Sequence, residues 1–546
     1  MGIARPSPSL RRLWKSEVDA WSVFAVLLAV VLLAPLVAVF IGGFETGPEW
    51  GHISETVLGG YISNTLIVLV LVCLLSLMLA IPSAWIVSMY DFPGRKLFSW
   101  ALGAPLAIPT YVAATVYYDT LNAAIPALIQ IRKSFGIDTY LLAEQILRYG
   151  MLAVLMSAVL YPYVYLGLRA SFSGQQGVFI EAARTLGRGP WSIFWKIALP
   201  LSRPALVAGL SLIAMEVMND YGAVNFFGVP TLTEGLFRTW FGLSDQASGI
   251  RLAGVMIAIM FVILSVEYYL RGKARYTQSQ ERAATSARRK LSSGRAALAV
   301  VICMIPLTLG FIIPATRLTY WAILSYGGNG NSSSGLLQIG NSLLLSLIVM
   351  VVICAFALLF AYAWRLHSNR WLRLTTRAAT LGYAVPGAAI AIGVMTLLGT
   401  LDRGFTWLPI LSGTLLALGF AYVVRFFTIG FQNIHAGMTQ VCGNLDEASR
   451  TLGHGPAKTF WRVNLRLLKG PLICASILVF IDIIKELPLT LVLRPADFET
   501  LSTLAFGFAK EGRYLESALP SLIIVLVGMV GLVIMGRFTE ESQTNH

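Results

Sequence analysis

Residues 181–190 read EAARTLGRGP, and residues 447–456 read EASRTLGHGP. The two segments are identical at eight of ten positions, at a constant offset of 266 residues. The correspondence continues in three further pairs, Phe194/Phe460, Trp195/Trp461 and Leu199/Leu465. Both segments are polar islands in an otherwise apolar chain. A repeat at a fixed spacing indicates a duplicated architecture, so we expect two halves that present the same surface twice.

The composition predicts a membrane protein. Hydrophobic residues make up 56% of the 546 residues and charged residues only 12%, against roughly 25% charged residues in soluble domains. Apolar runs long enough to cross a hydrocarbon core of roughly 30 Å recur twelve times, near residues 20–43, 65–87, 99–118, 149–168, 204–222, 252–270, 296–314, 342–364, 379–400, 409–430, 471–490 and 518–536. Backbone groups in lipid must be bonded within the protein, and the runs lack the alternation of barrel strands. The expected fold is an all-α polytopic membrane protein with about 12 transmembrane helices.

The distribution of the 41 Lys and Arg residues predicts the orientation. If the N-terminus is cytoplasmic, most of these residues fall in the tails and in cytoplasmic loops, as the positive-inside rule requires. The outer loop at 44–60 contains three Glu and no Lys or Arg, whereas the inner stretch at 271–295 contains eight basic residues. Both termini are therefore expected in the cytoplasm. The net charge of +14 follows from this topology and does not indicate nucleic-acid binding, because the loops contain no folded basic module.

Further repeats divide the chain into two six-helix halves. Asn64-Thr65-Leu66 corresponds to Asn341-Ser342-Leu343, and Pro109 to Pro386, both at an offset of 277. Because six is even, each half begins and ends on the same side of the membrane, and the halves are tandem and parallel-related. We predict a first half at 1–271 with its repeated loop at 175–204, a basic cytoplasmic linker at 272–295, and a second half at 296–546 with its loop at 441–471. The linker composition fits a solvated connection or a contact with lipid headgroups.

Glycine and proline positions predict the local structure of the repeated loop. Residues 178–186 mix apolar and charged side chains and predict a short helix that Gly187 ends. A second amphipathic piece is expected at 191–199, ended by Pro200 and Pro204. Glu and Arg at equal spacing in two solvent-facing loops favour a binding surface over a purely structural turn.

The repeated segment resembles the EAA loop of the permease subunits of bacterial ABC importers that depend on binding proteins. The motif, EAA followed by Gly and later by Leu-Pro, is matched by Glu181, Ala182, Ala183, Gly187, Leu199 and Pro200. The second copy departs from it at Ser449 and Arg466. The resemblance implies an ABC importer type I permease-like fold with one coupling surface on each half, which docks into an ATP-binding subunit. The docking residues are expected to be Glu181, Ala182, Ala183, Arg184 and Gly187 in the first copy and Glu447, Ala448, Ser449, Arg450 and Gly453 in the second.

The same resemblance implies the partners and the location. It implies two copies of an ATP-binding subunit on the cytoplasmic side, a periplasmic substrate-binding protein, and a multi-pass position in the bacterial inner membrane. The chain contains no GxxxxGK[ST] phosphate loop. Its glycine-rich stretch at 327–335 lacks the Lys and is expected to be a flexible turn. We therefore expect a transport subunit that is not an enzyme and holds no cofactor, with ATP and Mg bound by the partner subunit.

Two stretches that follow the repeated loops narrow the resemblance. Residues 219–241, NDYGAVNFFGVPTLTEGLFRTWF, and residues 482–506, DIIKELPLTLVLRPADFETLSTLAF, look like the matching segments of fused ferric-iron permeases. This resemblance covers nearly the whole chain and implies import of ferric iron, handed over by a periplasmic binding protein, through alternating access. One alternative is the same architecture importing thiamine, a phosphonate or another small ligand. A secondary transporter with two parallel halves is another, although it leaves the repeated loops unexplained.

Ionisable side chains inside apolar runs are costly and are therefore candidates for function. Here they are Glu216, Asp220, Asp482, Lys485 and Glu486. A spacing of four residues places Glu216 and Asp220 on one helix face, and Asp482 and Glu486 on the equivalent face of the other half. These side chains either line a translocation pathway or form polar contacts between helices. The only histidine predicted outside the membrane is His52, so no tight metal site is expected, and metal selection is expected of the binding protein.

Overall fold

The computed structural model describes residues 8–45, 47–173, 176–271, 288–326, 333–366, 370–405, 410–441 and 443–544. Nearly all of these residues are helical, as expected where lipid offers the backbone no hydrogen-bonding partner. Most of the predicted linker, at 272–287, lies outside the described residues, as do most of the glycine-rich stretch, at 327–332, and the side chain of Arg450.

The helices of the first sequence half follow one another with few long loops. They are α1 (Pro8–Gly42), α2 (Trp50–His52), α3 (Leu58–Met89), α4 (Arg95–Ala101), α5 (Thr110–Ala123), α6 (Ile125–Phe135), α7 (Ile137–Leu160), α8 (Pro162–Ser173), α9 (Gln176–Thr185), α10 (Pro190–Ile193), α11 (Leu199–Leu201), α12 (Arg203–Asn219), α13 (Gly222–Phe227), α14 (Leu232–Phe237) and α15 (Gln246–Arg271). A short strand, β1 (Tyr90–Asp91), follows α3.

The second half begins with a strand, β2 (Arg289–Lys290), which pairs in parallel with β1. Its helices are α16 (Ser293–Leu307), α17 (Ile313–Tyr326), α18 (Ser333–Leu366), α19 (Arg370–Ala379), α20 (Gly387–Gly404), α21 (Leu415–Gln440), α22 (Gly443–Thr451), α23 (Pro456–Thr459), α24 (Leu465–Leu467), α25 (Lys469–Lys485), α26 (Pro488–Leu493), α27 (Leu501–Lys510) and α28 (Tyr514–Thr544). Helical turns with i→i+5 or i→i+3 hydrogen bonds occupy 53–57, 104–107, 194–198, 238–242, 308–312, 382–384 and 460–464.

Eight described helices are long and apolar enough to cross a membrane, and the number rises to twelve if four bent pairs each count as one span. The bent pairs are Arg95–Ala107 with Thr110–Thr120 (88°), Pro190–Leu201 with Arg203–Asn219 (64°), Leu374–Ala384 with Gly387–Gly404 (113°) and Pro456–Leu467 with Lys469–Lys485 (75°). The predicted all-α polytopic fold is confirmed. Two of the predicted runs, 99–118 and 379–400, contain one of these bends, and two others, 204–222 and 471–490, begin just after one. Hydrophobicity alone does not reveal the bends.

The four bends occur at two pairs of equivalent positions. Ile108 and Val385 are extended, at φ −98°, ψ 116° and φ −88°, ψ 135°, and each precedes a proline, which disfavours helical geometry in the preceding residue. Ser202 and Leu468 share a second break geometry, at φ −85°, ψ 0° and φ −87°, ψ 5°. The repeat in the sequence is therefore a repeat of the backbone.

The chain forms two compact units that interleave the two sequence halves. One unit consists of Met1–Glu45, Ser332–Leu501 and Val533–His546, and the other of Thr46–Asn331 and Ser502–Leu532. Within the first unit, α1 packs against α18, α19 and α20. Within the second unit, α16 packs against α3, and α17 packs against α5. The first long helix of each sequence half thus packs on helices of the other half.

Both α1 and the segment that joins α16 to α17 pack closely on helices of the other sequence half, and in each case a glycine makes the close approach possible. Gly310, between α16 and α17, is buried against the carbonyl oxygen of Ala158 in α7, and a Cβ at Gly310 would overlap that oxygen. Gly393 in α20 lies in the same way against the carbonyl oxygen of Pro35 in α1. These contacts leave no room for a side chain, so the glycines set the distance between the helices.

The Gly310→Ala variant is expected to lower the free energy of unfolding by about 1–3 kcal/mol, because the added methyl group must displace the backbone of α7. The matched control is Gly254→Ala in α15, where a Cβ meets no atom within 4 Å. That control should be neutral or slightly stabilising, because alanine favours a helix over glycine. Thermal unfolding in detergent, followed by tryptophan fluorescence, measures both variants. Equal midpoints for the two would contradict the assignment of Gly310 as a packing contact.

Candidate functional site

The two repeated segments have the same backbone conformation. Helix α9 ends before Gly187 and α22 before Gly453, at φ +74° and +75°, a conformation that glycine adopts readily and other residues rarely do. The Arg188 amide donates to the carbonyl of Ala183 at 3.0 Å, and the His454 amide to that of Ser449 at 3.1 Å. These bonds form the Schellman closure of a helix end, so each copy ends its first helix in the same way.

A second helical piece follows in each copy. Gly189 and Gly455 are extended, and a proline then occupies the first helical position of α10 and of α23. The sequence predicts that this piece ends at Pro200, but in the structure it continues to Leu201. Pro200 is the second residue after the i→i+5 turn at 194–198. This turn already shifts the hydrogen-bond ladder and accommodates a residue without an N–H. The same turn occurs at 460–464 without a proline after it.

Large apolar side chains are exposed at equivalent positions of the two copies. Leu186 and Leu452, which precede the two left-handed glycines, are 82% and 75% exposed. Two other pairs are exposed as well, Phe179/Leu445 and Trp195/Trp461. Exposed apolar side chains at matching positions are what an interaction surface is expected to present. We name these residues, together with the exposed motif residues Ala182, Ala448 and Glu447 and the half-buried Glu181, the coupling surfaces.

The opposite side of each copy is anchored on an aromatic ring. Phe194 packs on Trp85 of α3 with ring centroids 5.1 Å apart, and Phe460 packs on Tyr362 of α18 at 4.8 Å. The Tyr362 hydroxyl also donates to the carbonyl of Pro456 at 2.7 Å. Phe194 and Phe460 are buried. Each coupling surface is thereby fixed to the long second helix of its own half.

The departure from the motif at Ser449 is compensated beneath the surface. Ala183 is buried in the first copy, as is Ile193 on α10. At the equivalent positions Ser449 and Thr459 are buried, and their hydroxyl oxygens lie 2.8 Å apart. An apolar pair is thus replaced by a hydrogen-bonded pair. Of the predicted docking residues, Ala183 and Ser449 face inward and support the coupling surfaces from below.

The second copy also contains an ion pair that the sequence reasoning missed. The guanidinium of Arg365, at the end of α18, lies 2.6 Å from the carboxylate of Asp446, and the pair is largely buried. The Asn464 amide donates to the same carboxylate at 3.2 Å. In the first copy the positions of Asp446 and Asn464 are taken by Ile180 and Ala198, both fully buried. Two features of the sequence could have indicated this ion pair: Asp446 stands next to the motif, and Arg365 directly follows an apolar run.

Asp220 and Glu486 accept hydrogen bonds from backbone amides at the points where their helices break. The Asp220 carboxylate accepts a hydrogen bond from the Ala223 amide at 2.8 Å and another from the Thr110 hydroxyl. The Glu486 carboxylate accepts from the Leu489 amide at 3.3 Å. Both carboxylates are buried. Each therefore caps the short helix that follows the break, α13 in one half and α26 in the other.

Arg425 is the partner of Glu486, and it too was missed from the sequence. It lies in α21, inside the predicted run at 409–430, and is buried. Its guanidinium is 3.2 Å from the Glu486 carboxylate and donates to the carbonyl of Val385 at 3.0 Å. Arg425 therefore connects the break before α26 to the bend before α20. A single charge within an apolar run was the available signal.

The other predicted pathway residues are half-buried. Lys485 and Asp482 form an ion pair at 2.7 Å within α25, and the Tyr163 hydroxyl lies 3.4 Å from the Glu216 carboxylate. The structure therefore pairs Asp482 with Lys485 and Glu486 with Arg425. Across the described ranges, no three His, Cys, Asp or Glu side chains approach closely enough to hold a metal ion.

We expect Asp446→Ala to destabilise α22 locally by about 3 kcal/mol, because it leaves the buried Arg365 guanidinium without its carboxylate. Hydrogen exchange of the α22 amides, analysed peptide by peptide, measures the change. The control is Asp119→Ala, which breaks the more exposed pair with Arg317 and should cost less than about 1 kcal/mol locally. Unchanged protection of α22 in Asp446→Ala would show that the ion pair does not hold the second coupling surface.

Comparison with known proteins identifies relatives along most of the chain. The chain is 24% identical over 483 residues to the Fe(3+)-transport system permease protein FbpB 2 of Haemophilus influenzae. This alignment covers 87% of this chain and 89% of the relative. The chain is 29% identical over 224 residues to the probable sulfate transport system permease protein cysT of Chlorokybus atmophyticus, covering 40% of this chain and 73% of that protein. It is also 28% identical over 235 residues to the molybdenum transport system permease protein ModB of Escherichia coli, covering 41% of this chain and 94% of that protein.

A family model matches the chain twice, once in each sequence half. The family is described as the binding-protein-dependent transport system inner membrane component, and the matches span residues 56–270 and 354–541. Both matches contain one coupling surface, and both begin after the first long helix of their half. The chain belongs to the family of inner membrane components of binding-protein-dependent transport systems.

Proposed function

We propose that this chain is the permease of an ATP-driven importer that moves ferric iron, delivered by a periplasmic binding protein, into the cytoplasm by alternating access. The observation that carries the transport mechanism is the duplicated coupling surface, which has the same backbone and the same exposed apolar positions in both copies. The cargo rests on a similarity to an iron permease that extends through both sequence halves.

Each coupling surface is proposed to dock one copy of a separate ATP-binding subunit. An exposed leucine, an exposed tryptophan and a small motif residue occupy equal positions in both copies, and exposed apolar side chains on helices suit a groove in a partner. The positive-inside rule supports a cytoplasmic position for both surfaces and for both termini. ATP and Mg are bound by the partner subunits, and this chain converts their closure into a displacement of its helices.

The ionisable residues divide into two groups by their surroundings. Asp220 and Glu486 are occupied in buried hydrogen bonds and an ion pair, so we assign them to helix support. Glu216, Asp482 and Lys485 keep part of their side chains exposed, and we retain them as residues that contact the cargo transiently. A pathway without a tight site suits transport, because a cargo that binds strongly leaves slowly.

We favour ferric iron as the cargo because the iron permease aligns with a larger share of this chain than the other relatives do. The sulfate and molybdenum permeases align with only about two fifths of this chain, whereas the iron permease aligns with 87% of it. Oxyanions, thiamine and phosphonates are the competing cargoes within the same architecture. A secondary transporter is disfavoured by the duplicated coupling surface, which such a carrier does not need.

Reversing the charge at both Glu181 and Glu447 tests the docking role. We expect Glu181→Lys with Glu447→Lys to reduce substrate-stimulated ATP hydrolysis to its basal rate and to abolish co-purification of the ATP-binding subunit, while membrane insertion persists. The charge-matched control is Glu45→Lys with Glu55→Lys, at exposed positions outside the coupling surfaces, which should still co-purify the subunit. Normal stimulation in the Glu181 and Glu447 variant would sink the docking assignment.

Uptake of labelled ferric iron tests the cargo. Proteoliposomes that contain the permease, its ATP-binding subunit and its cognate binding protein should accumulate iron only when ATP is supplied on the side of the coupling surfaces. Parallel assays with sulfate, molybdate, thiamine and a phosphonate should show no accumulation. Absence of iron uptake with intact uptake of one of the other cargoes would overturn the iron assignment while leaving the coupling mechanism in place.

A further inference from the structure

The two-residue strand β2, near the end of the predicted linker, pairs with β1 in the first half of the chain. Tyr90 pairs with Arg289, and Asp91 with Lys290, in a parallel bridge. The amide of Leu291 extends the bridge by donating to the carbonyl of Asp91 at 3.2 Å. This backbone pairing holds the residues just before α16 beside the segment that joins α3 to α4.

The pairing gathers positive charge from three parts of the sequence. The basic cluster consists of Arg95, Lys96, Arg169, Arg288, Arg289 and Lys290. The guanidinium of Arg95 is opposed by the like charges of Arg288 and Arg169, and Arg169 is held nearby by donating to the carbonyl of Ser99. The carboxylate of Asp91, 3.7 Å from Arg95, offsets one of the six charges. The cluster therefore carries an excess of positive charge fixed in place by backbone bonds.

Exposed apolar side chains adjoin the basic cluster. In α4, Phe98 is buried and packs on Phe92, with ring centroids 6.1 Å apart. Leu97 and Trp100 on the same helix are exposed, Leu97 to 63%. Helix α4 also begins one of the bent spans. Exposed leucine and tryptophan beside basic residues at the end of a span are typical of a membrane interface.

We propose that the basic cluster binds the headgroup phosphate of an anionic phospholipid in the adjacent leaflet. The charge of the cluster complements the phosphate, and Leu97 and Trp100 lie against the acyl chains. Arg288, Arg289 and Lys290 are exposed and reach the headgroup from the linker side, while Lys96 reaches it from α4. The lipid bridges two segments that are almost 200 residues apart in sequence.

The site lies next to the first coupling surface. The Arg184 guanidinium, within the motif of α9, is 3.9 Å from the sulfur of Met89, the residue before β1. A phospholipid at the basic cluster therefore stabilises the segment on which α9 rests. The site does not depend on which cargo the permease carries, and its occupancy is measured without transport.

Native mass spectrometry of the purified full chain in detergent, titrated with phosphatidylglycerol or phosphatidylcholine, tests the proposal. We expect Arg288→Gln with Arg289→Gln and Lys290→Gln to weaken the tightest phosphatidylglycerol binding by at least about tenfold, given roughly fivefold for each basic residue, with phosphatidylcholine binding unchanged. These side chains are exposed and the strand pairing uses backbone atoms, so the fold should persist. Lys96→Gln alone should weaken binding by about fivefold and serves as a second variant on another element.

The charge-matched control is Arg132→Gln with Lys133→Gln and Arg403→Gln, outside the basic cluster, which should retain tight phosphatidylglycerol binding. Equal losses in the control and in the linker variant would overturn the proposal, as would equal affinity for the two lipids. Inorganic phosphate is the competing probe. Displacement of phosphatidylglycerol by phosphate at millimolar concentration would show a site for a free anion and would also overturn it.

Discussion

The absence of hydrogen-bonding partners in lipid is the constraint on which this structure depends. Long helices satisfy their own backbone, but the bends and breaks free polar groups that must bond elsewhere. Side chains take up these groups: Asp220 binds the amide of Ala223, Arg425 the carbonyl of Val385, and Thr233 the carbonyl of Met218. Asp220 and Glu486, which the sequence presents as pathway candidates, are thus also required by the shape of the helices.

The two halves solve the same anchoring problem with different chemistry. Beneath the first coupling surface Ile180 is fully buried, whereas Asp446 binds Arg365 at the equivalent position. Replacing only one member of such a pair would leave a buried charge or hydroxyl unsatisfied, which costs more than exchanging both. The substitutions therefore come in sets, and the exposed leucine and tryptophan positions remain the same. Beneath the surfaces the two copies thus differ in chemistry, whereas Leu186/Leu452 and Trp195/Trp461 are retained on the outside.

Local signals predicted the parts of the fold that neighbouring residues determine. Hydrophobic runs indicated twelve spans, and Gly187 marked a helix end, because these features depend on nearby residues alone. The packing of α1 and α16 on the opposite sequence half was not predictable, since it depends on contacts such as Gly310 with Ala158 that leave no periodic pattern. Arg425 was missed for a similar reason: its partner is distant in the sequence, and one charge hardly changes the hydropathy of its run.

Two of the bends join the coupling surfaces to long apolar helices, α12 in the first half and α25 in the second. In the first half one stretch runs from Pro190 through the bend at Ser202 into α12, which ends at the cap formed by Asp220. Ser202 is fully buried, and its hydroxyl donates to the carbonyl of Ala198 at 2.7 Å, so the bend is packed and bonded. Its equivalent, Leu468, is fully buried as well. A bend of this kind keeps its angle when one of its two helices is displaced, because deforming it would break buried contacts. The displacement of one helix therefore moves the other. We therefore expect a force on either coupling surface to move α12 or α25 as a rigid body, and to reach the helix break at its far end.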